Sequence, residues 1–409
     1  MTGNDVNKDV NNYNGKFADQ RWLVAHNAWN TGSVPNQGKD IAELLDYGVR
    51  GLALDILGDS EISLHLQHGG DLLTVNKWKT IRDELDIWLK KNPDQIVTLF
   101  FESYLTGPDP TPMVWTALQG LDNSLKQIEC YRAGMIPHQS GEYSQIRAIT
   151  DLTLNDLVAN NHRLFAFIEQ QPDEGRQDVF PTMRSFFAEN VYGDASLKRA
   201  SRVNLREGSA YKHLLTFMNH FGNAPTQSEW NRNRKGKLIE HAEAFTFRYG
   251  GRYPNFISLD YINWTEHRRG PIEALEELKL RKDFKGATPF HMEGKNDFDN
   301  VVIDVDDVQK IVDLHVKPDE DKGIMKIRAV RGDEKPVVGI TLLNSPGKGI
   351  IDLRYKKEGE GFGDWLVNYQ AGHQVGVELI EINFDGALYG ICSRTQDDYG
   401  VTDLAAVYR

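Results

Sequence analysis

The 409-residue sequence predicts an α/β fold: a distorted (β/α) TIM-type barrel over residues 1–290, then a smaller all-β domain over 291–409. Three observations predict it. Strand-like and helix-like segments alternate over the first 290 residues, which is the pattern of a parallel sheet covered by helices, and a closed eight-stranded barrel is the natural solution at that length. Beyond residue 290 the texture changes to short β-rich runs punctuated by Gly, Pro and Asp. Polar residues also interrupt the buried strands, and they do so near the C-terminal ends.

The elements follow in order. LVAHNA (23–28) and VRGLALDIL (49–57) read as buried strands. Between them, KDIAELLDYG sets Ile41, Leu44 and Leu45 on one helical face, and Gly48 stops the helix. ISLHLQH (62–68) reads as a further strand. VNKWKTIRDELDIWLKKNP is amphipathic, with Trp78, Ile81, Leu85, Ile87 and Leu89 near helical period. Lys90 and Lys91 end it, where cations suit the helix dipole, and Pro93 closes it. QIVTLFFES (95–103) follows as a strand, then the Pro-rich GPDPTP and a helix over 112–126. HRLFAFIEQ (162–170) and NFISLDYIN (255–263) have the same buried-strand character, whereas 171–254 resists parsing. In the tail, MKIRAV, VVGITLLN, GIIDLRYKK, WLVNYQ, VGVELIEINF and ALYGICSR read as strands, and the acidic stretch 296–310 marks their start.

Composition narrows the function classes. Lys plus Arg number 47 against 59 Asp plus Glu, a formal charge of −12. That argues against a nucleic-acid partner, whose phosphates need a basic surface, and against attachment to an anionic bilayer by charge alone. No apolar run approaches the roughly 18 residues of a membrane span. MTGNDVNKDVNNYNGK lacks the basic start and apolar core of a signal peptide. A secreted or extracellular protein whose signal has been removed and a cytoplasmic one both stay open. Cys130 and Cys392 are far apart and outside any CxxC spacing, so buried unpaired thiols are expected rather than a zinc site or a disulfide scaffold. A monomer is expected.

The chemistry-bearing residues fall at the strand ends. His26 and Asn27 end the first strand, Asp55 stands near the end of the second, His68 ends the third, Glu102 the fourth, and Asp260 lies near the end of the last. In a parallel barrel those ends open on one face, so side chains distant in sequence converge. Singly, each reads as a loop cap; together, at corresponding ends, they are poorly explained by coincidence. Two histidines with flanking carboxylates suit general acid and base catalysis near neutral pH. Asn27, Asp55 and Glu102 are hard oxygen donors, which suits Ca²⁺ better than zinc. The chemistry that unites these groups is phosphodiester cleavage.

Over residues 20–275 the ordered motifs resemble the catalytic X region of the phosphatidylinositol-specific phospholipases C. WLVAHNAWNT is similar to the segment bearing the first catalytic histidine, DYGVRGLALDIL to the second strand with its acidic residue, LHLQHGG to the second histidine, and LDYIN to the carboxylate segment. The resemblance implies His26 as general base oriented by Asp260, and His68 as general acid on the departing diacylglycerol oxygen. The split of base and acid differs between branches of the family. It also implies a phosphatidylinositol-type lipid at a membrane surface as partner. In the metal-independent bacterial branch an Arg stands two positions after the second-strand Asp, where this chain has Leu57, and an Asp follows the first histidine, where it has Asn27. Asn27, Asp55 and Glu102 resemble calcium ligands of the eukaryotic-type branch, but a further Glu of that branch is Ala53 here. A weakened Ca²⁺ site completed by water or substrate is the expectation.

Two other classes stay in view: a phosphodiesterase acting on another phospholipid head group, and a catalytically impaired barrel serving as a binding or toxin module. The first typically begins His-Arg-Gly, where this chain has His-Asn-Ala; the second need not keep both histidines and Asp260. Weaker signals have plainer readings. DVDD (304–307) lacks the spacing of an EF-hand loop and reads as a solvated strand; NRNRKGK (231–237) and RRG (268–270) read as ordinary surface. Trp365, Tyr369 and Phe384 suit a glycan or membrane interface, but core packing is the stronger reading. Glu169 falls on the same barrel face as the site.

Overall fold

The computed structural model describes residues 14–32, 35–58, 65–67, 76–105, 152–161, 163–168, 183, 187–191, 215–222, 231–263, 269–288, 300–306, 308–319, 323–345, 349–367, 377–396 and 400–409. The chain forms two compact units. The first runs to Gly193 and includes Leu205–Leu238 and Pro254–Lys279; the second holds Ile239–Tyr253 and Leu280–Arg409.

In the first unit a 3₁₀ turn (Phe17–Asp19) precedes β1 (Trp22–Ala25), α1 (Ile41–Tyr47) and β2 (Val49–Gly58). Then come β3 (His65–Leu66), β4 (Asn76–Lys77), α2 (Trp78–Lys91) and β5 (Val97–Leu105). α3 (Leu154–Ala159), β6 (Leu164–Ile168), β7 (Phe187–Glu189), β8 (Leu215–Asn219), α4 (Lys235–Arg248), β9 (Phe256–Leu259) and α5 (Gly270–Leu280) follow. α4 continues past Leu238 into the second unit. α1 begins after Asp40, whose carboxylate accepts from Glu43 N at 2.8 Å, a cap of about 1 kcal/mol. It ends on Gly48 at φ 117°, a left-handed conformation that Gly adopts without strain. On α2 the buried stripe is Trp78, Ile81, Leu85, Trp88 and Leu89, whereas Ile87 is 53% exposed. Trp88 takes the place expected of Ile87 because it lies one helical turn from Leu85 and two from Ile81.

The parallel strands pair in the order β6-β5-β2-β1-β9-β8-β7. β5 and β8 stand four ladder steps apart, roughly 19 Å if the sheet were flat. The Phe100 and Phe217 rings nevertheless meet at 4.8 Å, and Phe100 also reaches Phe187 at 5.7 Å and Phe256 at 5.1 Å. The sheet is therefore rolled around its own side chains. Phe167 of β6 and Phe187 of β7 touch at 4.8 Å across the two end strands of this order. Gly51 gives the Phe100 ring its room, since a Cβ there would stand 2.5 Å from Val24 Cγ2 and 3.2 Å from Phe100 Cε2.

ISLHLQH does not form a parallel barrel strand. β3 runs antiparallel to β2, pairing Ile56 with Leu66 and Leu57 with His65, and β4 extends the meander. β2 continues past Asp55 to Gly58, which leaves edge groups for this hairpin to satisfy. At the N-terminal ends of the strands, Arg50 is buried, donating to Gln95 Oε1 at 2.9 and 2.7 Å and to the Leu45 and Val49 carbonyls at 2.7 Å. Arg163, at the start of β6, caps the Leu89 and Asn92 carbonyls at 3.1 Å. The helix expected over 112–126 lies outside the described residues.

The second unit is antiparallel throughout its strands: β10 (Gly286–Thr288), β11 (Asn300–Val305), β12 (Ile311–Asp319), β13 (Gly323–Arg331), β14 (Val337–Ser345), β15 (Gly349–Lys357), β16 (Glu378–Asn383), β17 (Leu388–Gln396) and β18 (Gly400–Tyr408). They form sheets β10-β18-β17-β11 and β15-β14-β16 and the pair β12-β13. Ile311, Ile327, Ile340, Leu353, Ile382, Phe384 and Leu404 share one core. Phe384 thus packs inside, as the core reading had it. Trp365 and Phe362 instead flank the Arg354 guanidinium at 4.7 and 5.1 Å. In WLVNYQ the described residues 365–367 are not strand, and Tyr369 lies outside the described residues. Cys392 is buried on β17; Cys130 lies outside the described residues.

Candidate active site

Alternation along the strands carries the inward face from an aromatic layer into a polar one. On β5, Phe100 gives way to Glu102; on β2, Gly51 and Ala53 to Asp55; on β7, Phe187 to Glu189; on β8, Phe217 to Asn219; and on β9, Phe256 and Ser258 to Asp260 just beyond the strand. The five phenylalanines Phe100, Phe167, Phe187, Phe217 and Phe256 form a dry floor beneath these polar groups.

His26 is the first residue past β1, and its backbone N–H still donates to Leu259 O at 2.9 Å. Its Nδ1 lies 2.8 Å from Asp260 Oδ1. A carboxylate only accepts, so the ring donates from Nδ1 and Nε2 is left to bind or release a proton. The imidazole is 20% exposed and stacks flat on Phe221, with centroids 3.7 Å apart and planes 9° apart. Burial by itself lowers the imidazole pKa. Asp260, by charge and hydrogen bond, and then the charges of Asp55 and Glu102 outweigh that and raise it above 6.5. The same influence places Asp55 and Glu102 within electrostatic reach of His26.

Asp55 and Glu102 are register partners on adjacent parallel strands. Asp55 is 2% exposed, and burial, then the neighbouring Glu102, push its pKa up to about 7, while His26 lowers it. Two carboxylates side by side in a poorly solvated place find relief in a proton or a cation. Asn27, buried and left-handed at φ 44°, follows His26, and Ala28 N donates to Ala53 O at 3.0 Å, which pins this turn to β2. Among the described residues no three His, Cys, Asp or Glu side chains gather as a metal-binding group. Asp55 and Glu102 are two carboxylates and Asn27 carries an amide oxygen, hard donors of the kind that could hold Ca²⁺ together with water or substrate.

The structure thus brings together His26, Asp260, Asp55 and Glu102, and Asn27 follows His26 in the turn beyond β1. His68 and Glu169 lie outside the described residues, which resume their gap just after Gln67, whose N–H donates to Asp55 O at 3.2 Å. Sequence reading missed Phe221, Glu189, Asn219, Asn36 and Asn233. Asn219 Nδ2 donates to Glu189 Oε1 at 2.9 Å within the polar layer. Asn233, inside the stretch read as surface, is 3% exposed and donates to Asp260 O at 2.6 Å and Tyr261 O at 3.1 Å. A signal for β8 was present, since LTFMNHF ends an apolar run in polar residues as the other strands do; the partners of Asp260 carry no such mark.

The PI-PLC X family model (PI-PLC X 1) matches residues 14–271. A PI-PLC X domain-containing protein of Arabidopsis thaliana is 26% identical over 264 residues, 60% of this chain, and the chain spans 58% of that relative's length. Among solved structures, a mutant phosphatidylinositol-specific phospholipase C from Staphylococcus aureus is 10% identical, covering 65% of this chain and 94% of its own, at a TM-score of 0.42. The phosphatidylinositol-specific phospholipase C from Listeria monocytogenes is 14% identical, covering 64% and 94%, at 0.40.

Proposed function

The chain belongs to the PI-PLC X family, and from that premise we propose that it is a phospholipase C-type phosphodiesterase that cleaves phosphatidylinositol to diacylglycerol and a cyclic inositol phosphate. The observation that carries the reading is the His26–Asp260 pair at 2.8 Å, set beside Asp55 and Glu102 at the polar end of the barrel. Asp260 holds the proton on Nδ1, so Nε2 accepts the proton of the inositol 2-hydroxyl as its oxygen attacks phosphorus. The imidazolium that forms is stabilised by Asp260, and Phe221 shields one ring face from water. The bond from phosphorus to the glycerol oxygen breaks, and the leaving alkoxide takes its proton from the acid partner, assigned to His68.

Asn27, Asp55 and Glu102 would hold Ca²⁺, which supplies positive charge for the phosphorane-like oxygens. Leu57, where a metal-independent relative would carry Arg, leaves no guanidinium at that place to do so. The protein acts as a monomer on a phosphatidylinositol-type lipid at a membrane surface, outside the cell. The test is diacylglycerol release from phosphatidylinositol vesicles by the parent and by His26→Ala. Release by the parent and its loss in the variant supports the reading; equal release, or none from either, overturns it.

A further inference from the structure

The loop that follows His26 returns to the strand ends as a polar clasp. Asn36 is 4% exposed and Gln37 fully buried, and neither belongs to a helix or strand. Asn36 Nδ2 donates to Asp260 Oδ1 at 2.9 Å, the same oxygen that receives His26 Nδ1; Asp260 Oδ2 has no hydrogen-bond partner among the described residues. The amide of Asn36 is itself fixed, because its Oδ1 accepts from Asn30 Nδ2 at 2.7 Å and its carbonyl accepts from Tyr261 N at 2.7 Å. Asn30 O takes both the Asn36 and Gln37 backbone N–H groups at 3.0 Å.

Gln37 works on the backbone. Its Nε2 donates to His26 O at 2.7 Å and Leu259 O at 2.9 Å, and its Oε1 accepts from Ile262 N at 3.3 Å. One side chain therefore takes the role of a further strand just where β1 and β9 stop pairing, and it ties the backbone of the base to that of the residue preceding its carboxylate.

We propose that Asn36 is the positioning residue that locks the Asp260 carboxylate, and through it the Nδ1–H tautomer of His26, with Gln37 holding the two strand ends in register for it. The carboxylate plane is set by two donors on one oxygen. With only the His26 bond left, the carboxylate is free to turn about χ2 out of the plane in which Nδ1–H points at it, and its hold on the tautomer weakens. Asn36 touches no reacting atom in this scheme and acts only through Asp260.

The inference rests on the phospholipase C reading for its kinetic consequence but not for its structural one, so two readouts are needed. The variant is Asn36→Leu, similar in size and unable to donate. Imidazole ¹⁵N shifts of His26, recorded where the ring is neutral, report one tautomer, protonated at Nδ1, in the parent and a mixture in the variant. In the vesicle assay kcat falls about 10–100-fold, the worth of one hydrogen bond to a charged group, with KM within about twofold. Asn36→Leu added to Asp260→Asn costs nothing further. A merely structural role would lower the melting temperature while leaving the tautomer and the kcat of folded protein intact. The proposal is overturned if the variant keeps the single tautomer, or if its loss multiplies with that of Asp260→Asn. Should the parent prove inactive on the lipid, the tautomer measurement still decides the matter, and it is the proposed function that fails.

Discussion

Gly51→Ala adds one methyl group to the inside of the barrel. That carbon would stand 2.5 Å from Cγ2 and 3.1 Å from Cβ of Val24, and 3.2 Å from Cε2 of Phe100. Carbon pairs settle at about 3.5–4.0 Å, so Val24 must retreat by about 1 Å. Val24 is fully buried on the adjacent strand, and a β-branched side chain has little freedom at χ1. Phe100 cannot yield either, because its ring is already packed on Phe187, Phe217 and Phe256. Overpacking of this kind costs about 1–3 kcal/mol, from which the lower chain entropy of Ala returns about 0.5–1. The net loss of about 1–2 kcal/mol lowers the melting temperature of a unit this size by about 2–8 °C. Urea unfolding followed by tryptophan fluorescence, with calorimetry, measures it. Val24→Ala in the same background should relieve the clash, with a coupling of at least about 1 kcal/mol. A Gly51→Ala protein as stable as the parent, or penalties that simply add, would refute a rolled sheet closed on Phe100.

Other outcomes follow from the same geometry. Diacylglycerol release should fall on chelation and return with Ca²⁺, and Asp55→Asn should weaken Ca²⁺ binding, read by titration calorimetry, by about tenfold or more; unchanged affinity counts against the assigned ligands. His220 is 3% exposed, and burial pushes its pKa down to about 4 from 6.5. The neutral ring leaves stability untouched above 6.5, but as pH falls from there toward 4 the unfolded chain gains a proton that the folded chain refuses. Up to about 3 kcal/mol is lost across that window, and His220→Gln should flatten this part of the melting-temperature profile. Arg50→Met, at the opposite end of the strands, strips donors from Gln95 and two carbonyls and should cost about 3 kcal/mol, while activity per folded molecule holds. Activity lost at full stability would show that Arg50 serves the site.

The strands that were legible, β1, β2, β5, β6 and β9, are those whose apolar runs are long enough to stand out, and their C-terminal polar residues gave His26, Asp55, Glu102 and Asp260. β7 and β8 are three and five residues long and escaped notice among polar neighbours. The β3–β4 hairpin misled because a two-residue strand has no period of its own; its direction is set by the overhang of β2. Ile87 and Trp88 differ by a single step around α2, which hydrophobicity alone does not resolve. The partners of Asp260 were invisible for another reason. Asn36 lies 224 residues away and Asn233 27 away, and an amide that meets a carboxylate only after folding has no local signature. Phe221 is equally silent, an ordinary aromatic until the barrel brings it against His26.

Asn27 and Tyr261, the residues next to His26 and Asp260, both hold left-handed backbones, at φ 44° and 50°. Glycine would adopt either conformation more comfortably. Tyr261 keeps its place by burial, at 6% exposed, whereas at Asn27 the backbone conformation alone favours glycine. Glycine there would also delete the amide oxygen at the mouth of the barrel. Asn27 is therefore a position where the backbone conformation and the proposed chemistry ask for different residues, so Asn27→Gly is expected to ease the backbone while removing a ligand of the proposed Ca²⁺ site.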